Sequence, residues 1–378
     1  MTFTQLAVVG LVALLGPLLA YPIGWHLPVL LGELVAGIVI GRTGFNYVHP
    51  SDPTFTMLAN IGFALTMFVA GTHVPMRDPS MRPALGRGLI RAVVIGVVAA
   101  ALGAAIARLL DIPHGALYAV LIASSSAALV MPIINSLGLT GPDIVKLVPQ
   151  VAIADAACIV ALPLVIDPHH ALRAAGGALA VIAAALVIGV ALWWLERRGI
   201  RKRVHQMSEQ RLFALELRVQ LIILFALAGL AAMTNVSIML AGFAFGLVVS
   251  AIGEPRRLAK QLFALTEGFL GPLFFVWLGA ELNLRDFGSH PSMIGLGVLL
   301  GVCASVAHLV ARFFDQPIPL ALLASAQLGV PVAAATIGAE LGLLRPGESS
   351  ALMLGAVVTI GVAIGGGAIA ARVGKIST

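Results

Sequence analysis

What most constrains this chain is the length of its charge-free runs: stretches of 17 or more residues follow one another almost without Asp, Glu, Lys or Arg. A helix needs about 20 consecutive apolar residues to cross the hydrocarbon of a bilayer, so the bilayer rather than a soluble core is the solvent here. In hydrocarbon every backbone N–H and C=O must be satisfied within the structure. Runs of this length therefore mean helices, since barrel strands would be about half as long and would alternate. The sequence as a whole agrees, with 60% hydrophobic residues, 11% charged residues and a mean hydropathy of +1.03. The expected fold class is an all-α integral membrane protein.

About thirteen spans are expected, at 3–21, 27–43, 54–72, 83–109, 114–137, 143–166, 171–195, 210–233, 236–252, 259–281, 291–313, 318–340 and 348–373. The run from Phe3 to Ala20 lacks a basic leader and a small-residue cleavage site, so it reads as a first span rather than a cleaved signal. The basic residues test the count, because cytoplasmic loops carry the Lys and Arg excess. One set of span ends holds only Arg42, Arg108, Arg173, Arg285 and Arg345, Arg218 lies inside a span, and the other seventeen of the 23 basic residues fall at the opposite ends. That places the N-terminus outside and the C-terminus in the cytoplasm, in a multi-pass cell-membrane protein expected in a bacterial inner membrane. The net charge of +6 is thus a matter of topology, and no nucleic-acid partner is expected. Cys158 and Cys303 form neither a disulfide framework nor a metal pair. The hydrophilic loop at 196 to 211, "ERRGIRKRVHQMSEQR", is placed to join two halves of a bundle.

The halves repeat. "LIASSSAALVMPIINSLGLTGPD" (121–143) resembles "LLASAQLGVPVAAATIGAELGLLRPGE" (322–348): L-x-A-S opens each, and L-G-L with a proline three residues on closes each. The topology makes the two copies enter the membrane from opposite sides, which is the inverted arrangement of many transporters. Each copy carries small polar residues and glycine near an interior proline, Ser124, Ser125, Ser126 and Pro132 in one, Ser325, Gln327, Gly329 and Pro331 in the other. Proline frees a carbonyl and Gly or Ser lets the backbone unwind, so both copies are expected to be broken helices. Chance similarity among Gly- and Pro-containing membrane helices is the competing reading.

Asp155 stands in the middle of "LVPQVAIADAACIVALPLVI" (147–166), thirteen residues after Pro142, and Thr359 occupies the same offset from Pro346. A charged Asp at the bilayer centre costs about 2.5–3.5 kcal/mol on insertion scales, so it ordinarily faces a cavity and has a task. One carboxylate that binds either a proton or a cation, never both, is a minimal exchanger. A protonated Asp capping a free carbonyl of a neighbouring helix is the alternative.

"PVLLGELVAGIVIG" (28–41), "LANIGFALTMFVAGTHV" (58–74), "SSSAALV" (124–130) and "EGFLGPLFFVWLGAELNL" (267–284), in this order, resemble the monovalent cation:proton antiporters of the second family, the Kef-type potassium/proton and bacterial sodium/proton exchangers. The resemblance runs over essentially the whole chain. It implies two crossed broken helices in a transport bundle around 54–166 and 259–373, scaffold or dimerisation helices at 3–43 and 171–252, a homodimer, and elevator-like exchange of Na⁺ or K⁺ for H⁺ with no resident cofactor. It assigns cation and proton binding to Asp155. Family members carry a polar residue immediately before this Asp. Here Ala154 stands there, which favours electroneutral exchange and leaves Gln150 and Ser124 to Ser126 as the nearest further ligands. A basic partner for the Asp is matched by His308, with Arg312 one turn on as competitor. Histidine's ordinary pKa of about 6.5 would make such a pair titratable. Glu33, in the first motif, and Glu267 are secondary candidates for the ion path, with structural roles as the alternative. The cytosolic nucleotide-binding domain of Kef-type members is not expected in this chain. A sodium-coupled symporter of a small organic anion on the same inverted-repeat fold is the alternative function. An intramembrane aspartyl protease would need a second Asp on another span, and none is found.

Overall fold

The computed structural model describes residues 1–21, 29–72, 74, 77, 81–168, 171–199, 207, 213–234, 236–253, 256–283 and 285–376, and every regular element among them is helical. The first half comprises α1 (Phe3–Ala13), α2 (Leu15–Ala20), α3 (Val29–Ile40), α4 (Pro53–Thr72), α5 (Met81–Leu110), α6 (Gly115–Ala123), α7 (Ala127–Ser136) and α8 (Pro142–Ile166). After α9 (Ala171–Arg197) the second half comprises α10 (Leu215–Met233), α11 (Ile238–Ile252), α12 (Arg256–Leu265), α13 (Gly271–Glu281), α14 (Ser292–Leu309), α15 (Ile318–Ala324), α16 (Gly329–Glu340) and α17 (Glu348–Ile376). A π turn, Thr266–Leu270, joins α12 to α13, and a 3₁₀ turn, Val310–Phe314, ends α14. Eleven helical stretches among the described residues are long and apolar enough to cross a membrane, and the shorter apolar helices α3 and α11 fall in two further expected spans. The loop expected at 196 to 211 lies largely outside the described residues.

The helices pack in two groups. In one, α5, α6 and α8 pack on each other, α14 to α17 do likewise, and α14 against α5 and α6 with α15 and α16 against α8 close the bundle. In the other, α3 crosses α13 and α4 crosses α11, with α1, α2, α9 and α10 around them. These two crossings exchange under the repeat, third helix with second of the other half. Both are made by glycine. A Cβ on Gly37 would lie 2.1 Å from the Val276 carbonyl, and one on Gly246 2.2 Å from that of Phe68. Without a hydrophobic driving force between helices in lipid, such close backbone contact is what holds them together. The glycine faces of α4 and α13, at 54–72 and 259–281, lie against α11 and α3, and α4 also touches α7 of the first group.

Candidate functional site

Both copies of the repeat are broken where their serines lie. The α6 helix stops at Ala123, Ser124 to Ser126 carry no helix, and α7 restarts at Ala127; α15 stops at Ala324 and α16 restarts at Gly329. The prolines do not make the breaks. Pro132 sits within α7, beyond its first turn, and Pro331 is the third residue of α16, where its missing N–H would have had no partner anyway.

Each break ends a helix and leaves carbonyls without intrahelical partners, and side chains of both copies bond them. The Ser124 hydroxyl donates to the Leu121 carbonyl at 2.8 Å and the Ser325 hydroxyl to the Leu322 carbonyl at 2.7 Å, the same bond in each copy. Two further bonds cross between the copies. The Ser125 hydroxyl donates to the Ala324 carbonyl at 2.5 Å, and the Gln327 amide donates through Nε2 to the Leu121 carbonyl at 2.6 Å. Ser126 is different: its buried Oγ has no hydrogen-bond partner. Of the three serines, two are helix caps and one holds an unused oxygen.

The residue that follows Ser126 meets the carboxylate. Asp155, 1% exposed, accepts the Ala127 backbone N–H through Oδ2 at 2.9 Å. This N–H belongs to the first residue of α7, so the negative charge lies at a helix N-terminus, where the peptide dipoles favour it. At the matching offset, Thr359 accepts the Gln327 backbone N–H through Oγ1 at 3.2 Å. The thirteen-residue register read from the two prolines therefore corresponds to two hydrogen bonds, one to a carboxylate from the first residue of α7 and one to a hydroxyl from within the second break, two residues before α16. Ala154, beside Asp155, is buried.

Other expected site residues lie elsewhere. Five residues of α-helix turn Gln150 about 140° away from Asp155, and its backbone instead lies against Gly88 of α5, with both amide atoms unpartnered. The expected histidine partner is not engaged: His308 Nδ1 bonds the Ala304 carbonyl of its own helix at 2.9 Å and Nε2 has no hydrogen bond, while the hydrogen bond on Asp155 comes from Ala127. A helix carbonyl four residues back takes one nitrogen of this buried imidazole and leaves the other without a hydrogen bond. Arg312 is exposed on the 3₁₀ turn, as a snorkelling side chain would be. Glu33 is buried on α3 against Gly16, and Glu267 is exposed on the π turn, so both belong to the scaffold side and not to the crossing.

A cavity of about 520 Å³ lies between the two groups of helices. Thr56, Asn60 and Phe63 of α4, Pro163 of α8, Phe274 and Trp277 of α13, and Thr336 of α16 line it, with Asp167 and Arg173 at its rim. Two of its lining rings, Phe63 and Phe274, stack with centroids 4.6 Å apart. Pro163 is eight residues beyond Asp155, about 12 Å along α8. Asp155 itself does not line the cavity.

Two buried groups were not singled out from sequence. Arg91, 1% exposed, donates from Nε and Nη2 to the Phe314 carbonyl and from Nη2 to that of Asp315, pinning α5 to the start of the second broken helix. Glu348, fully buried, accepts His114 Nδ1 at 2.7 Å, the Tyr118 hydroxyl at 2.6 Å and the Arg345 N–H at 2.8 Å, pinning α17 to the start of the first. Gln327 was expected at the break, but its bond to the Leu121 carbonyl of the other copy was not. Arg91 could have been suspected from its depth within an apolar run, whereas nothing in the sequence pairs it with carbonyls.

Comparison with known proteins agrees with the resemblance at the level of the exchanger family. The model of the transmembrane sodium/hydrogen exchanger family matches residues 10–371. The chain is 25% identical over 375 residues to the putative Na⁺/H⁺ antiporter YjbQ of Bacillus subtilis, covering 94% of this chain and 61% of YjbQ. It is 28% identical over 331 residues to the Na⁺/H⁺ antiporter NhaS5 of Synechocystis, covering 83% and 46%, and 26% identical over 336 residues to probable Na⁺/H⁺ antiporter 3 of Methanocaldococcus jannaschii, covering 85% and 84%. The chain therefore spans about half to two thirds of the length of the first two. In fold it matches the sodium proton antiporter MjNhaP1 of M. jannaschii with a TM-score of 0.68, 15% identity and 98% coverage of each chain. These are transporters, not enzymes.

Proposed function

We infer that this chain, which belongs to the transmembrane sodium/hydrogen exchanger family, exchanges a monovalent cation, Na⁺ or K⁺, for H⁺ across the cell membrane. One observation carries the reading: a buried carboxylate, Asp155, accepts the first N–H of a half-helix, from Ala127, and the residue just before it, Ser126, has a buried hydroxyl with no hydrogen-bond partner. In this arrangement Asp155 binds the cation with Ser126 Oγ and backbone carbonyls of the break, or binds a proton and releases it.

Exchange is electroneutral, one cation for one proton, because Ala154 and Thr359 supply no second carboxylate. The cavity rimmed by Asp167 and Arg173 is the outward vestibule, which follows from the basic residues' placing the N-terminus outside and the C-terminus in the cytoplasm. Alternation is elevator-like: the bundle of α5 to α8 and α14 to α17 slides against a scaffold of α1 to α4 and α9 to α13, and the Phe63–Phe274 stack yields as it does. The scaffold holds two copies together as a homodimer.

The test is transport by purified protein in liposomes under an imposed pH gradient, with Na⁺, K⁺ and Li⁺, for the parent and Asp155→Asn. Cation-driven proton flux in the parent and none in Asp155→Asn is the expected outcome. Flux that survives the substitution refutes the role of Asp155. Sodium-coupled uptake of an organic anion without cation-driven proton flux would instead establish the symporter.

A further inference from the structure

We propose that Gln327 is a positioning residue for the cation site, reaching from the second break to fix the first, and that Thr359 holds it there. The inference rests on the reading that the cation binds at Asp155.

The Leu121 carbonyl is the last strong acceptor at the C-terminal end of α6, the negative end of a half-helix dipole. It takes three donors: the Ser124 N–H at 3.0 Å, the Ser124 hydroxyl at 2.8 Å and Gln327 Nε2 at 2.6 Å. Its counterpart, the Leu322 carbonyl, takes the Ser325 N–H at 3.2 Å and hydroxyl at 2.7 Å. The third donor is thus particular to the copy that holds the carboxylate. A bare carbonyl at a helix C-terminus is a cation ligand, and saturating it removes a competing site next to the one formed by Asp155 and Ser126.

Gln327 can do this because its own backbone is fixed. Its N–H is held by Thr359 Oγ1, whose hydrogen is committed to the Ala356 carbonyl at 2.7 Å, so a lone pair must face Gln327. Thr359 is wholly buried and Gln327 nearly so. The residue that occupies the second repeat's equivalent of Asp155 therefore serves the first repeat's site through one intervening side chain. An amide does the task without charge, so it leaves the titration of the crossing to Asp155.

The experiment measures half-saturation for Na⁺, K⁺ and Li⁺, maximal rate, and pH profile in liposomes, with cation-induced thermal shift as a binding readout. Gln327→Leu takes away the third donor on the Leu121 carbonyl, the one that crosses between the copies. It is expected to raise half-saturation at least about tenfold and to change the order of the three cations, with a smaller effect on maximal rate. Gln327→Glu separates positioning from folding. Protonated, its carboxyl donates to Leu121 as the amide does; ionised, it cannot, so its rate relative to the parent should fall as pH rises. Thr359→Val should reproduce Gln327→Leu, and Thr359→Ser should restore the parent. Folded Gln327→Leu and Thr359→Val proteins with parental half-saturation and cation order overturn the proposal, as does a Gln327→Glu protein whose ratio to the parent is flat with pH. If Gln327→Leu does not fold, the Glu and Ser variants decide alone. A parent that exchanges no cation in these vesicles refutes the proposed function instead.

Discussion

Ser125 and Ser126 are neighbours in one break, both buried, yet their hydroxyls should fail in opposite ways when removed. The Ser125 hydroxyl donates to the Ala324 carbonyl, the last acceptor of α15, and Ser125→Ala leaves that buried carbonyl unpaired. An orphaned buried acceptor costs about 1–3 kcal/mol, so Ser125→Ala should lower the melting temperature in detergent by a few degrees while leaving cation affinity within a small factor of the parent. The Ser126 hydroxyl has no partner to lose, and Ser126→Ala removes a desolvated polar atom, so the melting temperature should hold or rise slightly. If Ser126 Oγ is a ligand, its loss costs what a polar group contributes to a charge, about 1.5–3 kcal/mol. At 1.4 kcal/mol per decade that raises half-saturation roughly 10- to 150-fold. Thermal melting by intrinsic fluorescence and proton-flux titrations on the same preparations read both quantities. A Ser126→Ala protein with parental half-saturation, or a Ser125→Ala protein that loses affinity without losing stability, refutes the division of the serines into cap and ligand.

Arg91→Lys should destabilise the protein by about 2–3 kcal/mol, because a lysine cannot span the Phe314 and Asp315 carbonyls as the guanidinium fork does, and thermal melting checks it. Gly279→Val should abolish folded protein on size exclusion, since a Cβ there lies 2.1 Å from the Leu34 carbonyl, backbone that cannot yield. In a background without Cys158 and Cys303, Asn60→Cys should react with an impermeant maleimide added outside intact cells, and Asp315→Cys only after permeabilisation; the reverse pattern would invert the topology. Exchange should leave an imposed membrane potential without effect on rate, measured with potassium and valinomycin in the Na⁺-driven assay, and a voltage-dependent rate would refute one-for-one stoichiometry.

The helices were legible because the bilayer admits few alternatives: an apolar run long enough to cross must satisfy its own backbone, and so it is helical. The register of the repeat was legible too, since Pro142 and Pro346 sit at matched positions, and the matched bonds at Asp155 and Thr359 follow from it. Partners across space were not. His308 and Arg91 are both basic residues in apolar runs, and only the packing of α5 against the end of α14 decides that the arginine meets carbonyls while the histidine bonds its own helix. Proline gave a misleading sign of where the chain breaks. Its cost depends on position within a turn, and Pro331 falls where a helix has an N–H to spare.

The proposed one-for-one exchange asks why the repeat carries a carboxylate in one copy and a hydroxyl in the other. A symmetric frame builds two half-helix N-termini at the crossing, and each needs an acceptor for its first N–H groups. Filling both with carboxylates would set two like charges close together in a medium that screens them poorly, and cation binding at one would depend on the protonation of the other. Here one place is a carboxylate and the other a hydroxyl already committed to Gln327 and Ala356. The hydroxyl meets the structural need without taking part in proton binding, so the crossing carries one exchangeable charge. Replacing Thr359 by Asp would restore the symmetry. The expected result is exchange that responds to membrane potential and a pH profile with two titrating groups, and a Thr359→Asp protein that folds and still exchanges electroneutrally would show that the number of carboxylates at the crossing does not set the stoichiometry.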